Sequence, residues 1–337
     1  MRSIFSLPAR LHRPVGFTFL LLIFVLLFVG ESLLNKGRLN ATFIRLNHGM
    51  AHGDVDAVIK ASLSFDGLKA DPLTGKGAWY GLAIAQTYAN NPIESIDFWV
   101  EVENAPTMLK TWANQEMRQG DLAGSREWYL LLVNIEPENG DLWYELARVT
   151  EELDGYRARD YYLHALNAQH HTVFGKSNIL TRLGDVERLQ ENIDWPQVLA
   201  YYDEAIQQDD FIVENDFNLS RLGRAEALER LGQLDASLEQ YRALIEVEPN
   251  LYWANLHAGR LTWYLQRDSV TAAAYLQKAI EINDKLKWAY LNLGIVFANS
   301  GEPELALSML EKTLLIDEDD SVARDLYEQL TSQDEER

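Results

Sequence analysis

His48 and His52, four residues apart in "HGMAH", are the first side chains whose spacing could do chemistry. On a helix they would share one face and could hold a divalent metal. The segment lacks the glutamate of the zinc-protease helix, however, and places Gly49 between the histidines. His164, His170 and His171 cluster in "HALNAQHH" at the end of a helical pattern, where capping or exposure explains them. The chain has no cysteine, which excludes disulfides, thiolate metal sites and cysteine nucleophiles. No Gly-rich phosphate loop, nucleophile elbow or kinase signature occurs. With 51 Asp and Glu residues spread along helical surfaces, accidental carboxylate pairs are unavoidable and argue for no reaction. The expectation is a protein without catalytic residues, metal or cofactor.

The elements that carry these residues are helical, and 47% hydrophobic content is ample for a core. The net charge of −21 disfavours nucleic acid and anionic lipid as partners of the body. Acid is densest from 317 to 337, where nine Asp or Glu face only Arg324 and Arg337. Residues 14–30, "PVGFTFLLLIFVLLFVG", carry no charge and as a helix would reach roughly 25 Å. Two readings stand: an uncleaved membrane anchor over 14–34 behind a basic tail of residues 1–14, or a secretory leader cut near Gly30 and Ser32. The length of the run and the continuation through Leu33 and Leu34 favour the anchor. Lys and Arg are balanced across it, three against three, so orientation rests on the short basic tail staying cytoplasmic. The expected location is a single-pass membrane protein with its repeats on the outer side.

Past this segment the chain copies itself at a period near 34 residues. In residues 287–320, Tyr290, Leu293, Gly294 and Phe297 form one stripe, and Ala306, Leu310 and Thr313 form the next. Residues 218–251 repeat the pattern with Ala225, Leu228, Gly232, Ser237, Tyr241, Leu244 and Pro249. Residues 252–286 do so one residue longer, with Gly259, Ala272, Leu276 and Ala279. Residues 106–139 and 140–172 are good copies, carrying Trp112, Ala113, Gly120, Tyr129 and Pro137, then Trp143, Leu146, Ala147, Ala158 and Tyr162. Residues 173–217 give a weak copy with a poor first helix. The segment 35–105 is degenerate, and 321–337 reads as a capping helix running into an acidic tail.

These stripes resemble the tetratricopeptide repeat, whose pattern W-x2-L-G-x2-Y followed by A-x3-F and a terminal proline is matched with substitutions. The resemblance covers 76–320 well and 39–75 faintly. It implies an all-α, right-handed superhelical solenoid of about seven antiparallel helix pairs acting as a protein-interaction scaffold. It also implies a partner groove lined by the first helix of each pair. Carrying the family's ligand-facing positions onto this chain selects Trp253, Leu256, Arg260 and Trp263 in one unit and Trp288, Leu291 and Ile295 in the next. Trp and Arg are the usual interface hot spots, worth about 2 kcal/mol or more each, so the expected partner is a protein offering a helical or extended apolar segment. Packing of the same tryptophans inside the solenoid is the competing reading. The equivalent positions nearer the amino terminus, Lys110, Asn114, Asp141, Tyr144 and Arg148, match the family's carboxylate clamp only loosely. An accessory subunit of an envelope enzyme, with its chemistry in 39–105, is the alternative of a different class.

Overall fold

The computed structural model describes residues 33–71, 73–89, 92–212 and 214–335. The expected anchor falls almost wholly outside them. Among the described residues no helix is long and apolar enough to cross a membrane.

The described residues are helical, and their contacts divide them into two compact units that meet at Phe174 and Gly175. The first unit holds α1 (Leu33–His52), α2 (Val55–Asp66), α3 (Gly75–Ala89), a 3-10 turn (Pro92–Ser95) running into the single-turn α4 (Ile96–Trp99), then α5 (Ala105–Arg118), α6 (Leu122–Ile135), α7 (Gly140–Glu151) and α8 (Gly155–Asn167). The second holds α9 (Lys176–Glu187), α10 (Trp195–Gln208), α11 (Glu214–Arg230), α12 (Leu234–Val247), α13 (Tyr252–Gln266), α14 (Ser269–Ile282), α15 (Lys287–Asn299), α16 (Pro303–Ile316) and α17 (Ser321–Glu335). Successive helices pair, and each pair packs on the next within its unit.

The chain chemistry explains the breaks. Second helices start on aspartate: Asp121, Asp154, Asp194 and Asp268 each accept a hydrogen bond from the backbone N–H three residues on. Part of the acidic load is therefore capping. Four hairpin turns need a left-handed backbone and place Gly53, Gly120, Gly232 and Gly301 there, with φ of 68°, 79°, 76° and 81°.

The core is built by small residues that admit large ones. A Cβ on Gly259 would meet Leu276 at 2.7 Å, and one on Gly81 would meet the Phe65 ring at 2.4 Å. In the first unit the aromatic core runs edge to face from Trp99 to Trp112 (5.8 Å) and on to Trp128 (5.2 Å). The second helix of the α3 pair is cut to one turn, and Trp99 compensates by burying fully while its indole N–H donates to Thr87.

In the weak copy at 173–217 the first helix, α9, is complete. Its inward face mixes apolar and polar side chains, with Ile179, Leu180, Leu183 and Val186 buried beside a polar seam. Ser177, Asn178 and Thr181 are fully buried: Asn178 donates to Asp216 (2.8 Å), and Thr181 and Ser220 share a hydrogen bond (2.5 Å). A buried polar seam is stable when each group finds a partner.

Candidate groove of the second unit

Helix α13 is the floor. Trp253, Leu256, His257 and Arg260 recur at i, i+3, i+4 and i+7, so one face carries all four. Trp288 and Asn292 of α15 stand on one side. Leu222, Glu226, Glu229 and Arg230 of α11, Tyr241 of α12 and Arg188, just beyond α9, close the other. Together they line a groove of about 680 Å³.

Its apolar rim is open: Trp253 is 39% exposed and Trp288 46%. Large aromatic surface left in water in a recess is unusual for a structural residue. Each ring is held in place from one side. Trp253 leans on Tyr252 (5.1 Å) and His257 (6.2 Å), and the Lys287 ammonium lies 4.3 Å from the Trp288 ring centre. Lys287 is itself fixed by Asp317 and Asp320, and these carboxylates raise its pKa. The floor is ionic. Arg260 donates to Glu229, which lies 3.0 Å from Nδ1 of His257, and the His257 ring stacks on Tyr241 at 5.1 Å. Burial opposes ionisation of Glu229, but His257 and Arg260 outweigh it, so its pKa is lowered and it is a carboxylate at neutral pH. Arg188 pairs with Glu226, and Arg230 reaches the same carboxylate at 3.9 Å.

Of the seven residues selected from the sequence, the groove brings together Trp253, Leu256, Arg260 and Trp288. The other three lie elsewhere. Trp263 is half-buried against the α13 to α15 core with Arg267 over its ring (5.3 Å). Leu291 is buried, and Ile295 packs beside it against Leu310 and the residues of α17. The family offsets thus follow a line along α13 and α15 rotated from the face that opens here. His257 and Asn292, each four residues after a tryptophan, were legible by that spacing. Glu226, Glu229 and Arg230 were not, because α11 was read for its buried stripe alone.

The remaining candidates have structural partners. His52 Nδ1 lies 2.8 Å from the His48 carbonyl oxygen and the two rings stack at 4.2 Å. His164 stacks on Trp143 at 4.5 Å. Among the described residues no group of three or more His, Asp or Glu is placed to hold a metal. Three of the loosely matched clamp positions are engaged too: Asn114 accepts from the Tyr129 hydroxyl, Arg148 pairs with Glu145, and Tyr144 stacks on Phe174 at 4.0 Å. Asp141 is buried and accepts from the backbone N–H groups of Thr172, Val173 and Phe174.

No protein-family model matches the sequence, and no curated protein matches it. Solved structures do. PilF of Pseudomonas aeruginosa superposes over 72% of this chain and 100% of its own with a TM-score of 0.53 at 14% identity. PilW, a widely conserved type IV pilus biogenesis factor, superposes over 67% of this chain and 99% of its own with a TM-score of 0.52 at 15% identity. YrrB, a tetratricopeptide-repeat protein with an unusual peptide-binding site, matches over 58% of this chain and 96% of its own with a TM-score of 0.48 at 18% identity. At these identities the likeness is one of fold: an α-solenoid of the tetratricopeptide type.

Proposed function

We propose that this protein is a membrane-anchored scaffold that captures a protein segment in the groove of its second unit and displays it on the outer side of a membrane. The observation that carries the reading is the pair Trp253 and Trp288, both exposed across a recess whose floor is made of ion pairs. Burying two such rings would supply most of the affinity of a modest interface. Arg230, Arg260 and Asn292 offer donors that fix a partner's register, so the partner is an extended or helical segment with apolar anchors and at least one acceptor group facing the floor. The charge-free run of residues 14–30 supports the anchor, and the basic tail ahead of it supports the orientation.

The test is cross-linking in intact cells, detergent extraction and identification of what co-purifies. The native chain and Trp263→Ala retain the partner. Trp253→Ala with Trp288→Ala loses it while keeping the helical circular dichroism of the native protein. A partner retained by a folded double variant would end the groove reading. Digestion of residues 31–337 by protease added to intact cells, or to cells whose outer barrier has been opened, checks the orientation, and protection under both conditions would overturn it.

A further inference from the structure

The first helix pair carries an apolar surface that its own packing does not use. On α2, Val58, Ala61 and Phe65 are buried, while Val55, Ile59 and Leu63, one helical turn apart, are 45%, 45% and 70% exposed. On α1, Leu39, Phe43, Leu46 and Met50 are buried and Ile44 is 68% exposed, with Arg38 and Arg45 exposed near it. A terminal unit of a solenoid ordinarily turns a polar face outward. This pair instead leaves Ile44, Val55, Ile59 and Leu63 in water among its polar side chains.

The charge of α1 alone is inverted, since α2 brings Asp54, Asp56 and Asp66 against Lys60. In a chain of net charge −21, no Asp or Glu occurs between Glu31 and Asp54, and Lys36, Arg38 and Arg45 fall in that interval. Only residues 31 and 32 separate the apolar run ending at Gly30 from the start of α1 at Leu33. A chain spans at most about 3.5 Å per residue, so an anchor in residues 14–34 would hold the first turn of α1 within roughly 10 Å of the hydrocarbon boundary. Lys36 and Arg38, in the first two turns of α1, then lie near the depth of the headgroup phosphates.

We infer that the α1–α2 pair docks on an anionic bilayer surface, with Ile44, Ile59 and Leu63 entering the interface and Arg38 and Arg45 meeting lipid phosphates. This rests on the anchored reading above. The pair sets the standoff of the repeats from the membrane and keeps the acidic remainder of the chain away from it.

The absence of cysteine permits single-site labelling of the full-length chain. Ile44→Cys, Leu63→Cys, Val270→Cys as an outlying control, and Leu21→Cys within the apolar run are each labelled with an environment-sensitive fluorophore. The labelled chains are reconstituted into nanodiscs of phosphatidylcholine with or without phosphatidylglycerol, and lipids quenched at the headgroup or deep in the acyl chain report contact. Headgroup-level quenching at positions 44 and 63 but not 270, stronger with phosphatidylglycerol, is the expected result. Arg38→Gln and Arg45→Gln should each weaken docking by about fivefold. Deep quenching at 21 without quenching at 44 and 63 would overturn the docking surface and leave the anchor standing. No quenching at 21, 44 or 63 would overturn both. A blue shift at 44 and 63 without lipid quenching would mean that protein covers this face, and would also overturn the inference.

Discussion

Tyr202 fills a slot that two glycines leave open: a Cβ on Gly184 would lie 2.7 Å from its ring and one on Gly223 2.2 Å. Its hydroxyl donates to Asp185. Gly223→Ala must displace a buried ring, and overpacking of this kind costs about 1–3 kcal/mol; urea denaturation should show the unfolding free energy falling by that amount, with a lower midpoint, while the helical signal of the folded state is kept. Asp141 makes a second prediction. Burial raises its pKa, but hydrogen bonds from Thr172, Val173 and Phe174 outweigh burial and the net shift is downward. A depressed folded pKa contributes stability that is present above the unfolded value of about 3.9 and is lost as pH falls through the folded value. Asp141→Asn should therefore cost about 2–3 kcal/mol at neutral pH, and the difference from the native chain should shrink below pH about 4. At the groove, Trp253 and Trp288 were legible as candidates because tryptophan at ligand-facing offsets is informative. Their companions were not, since the side of a helix that opens depends on how its neighbours are rotated, and a difference of one residue moves a side chain by 100°.

Among the elements, those whose buried face is mostly apolar were the readable ones. Helices α13 to α16 follow from Gly259, Leu276, Gly294 and Leu310 because small and large residues alternate at helical spacing. Helix α9 carries the apolar stripe Ile179, Leu183 and Val186, but the burial of Ser177, Asn178 and Thr181 beside it depends on partners more than thirty residues away such as Asp216 and Ser220. No local pattern reports that. On the terminal helix α17, Ala323, Leu326, Tyr327 and Leu330 pack with Leu291, Ile295 and Leu310. Ending the chain at Asp320 should uncover those side chains; hydrogen exchange of α15 and α16 should then accelerate strongly, while α5 to α8 of the first unit keep their protection, as expected where each repeat is stabilised by its neighbours.

At the scale of the whole molecule, a net charge of −21 keeps most of the surface away from phosphate-rich partners, and two regions depart from that average. One is α1, basic and next to the apolar run. The other is the groove, where Arg188, Arg230 and Arg260 meet Glu226 and Glu229 beneath two exposed tryptophans. The repeat, its period and its terminal cap were legible along the chain; the division at Phe174 and Gly175 was not, because it is defined by contacts rather than by any change in composition. The central claim is that the Trp253 and Trp288 groove is where a partner segment sits. It is tested most directly by placing a photoreactive amino acid at Asn292, inside the groove, and at Glu239, exposed on α12, and irradiating intact cells. Cross-linking of one partner from position 292, its absence from position 239, and its loss when Trp253→Ala is added are the predicted results. Equal cross-linking from both positions, or undiminished cross-linking from 292 with Trp253→Ala, would contradict the account.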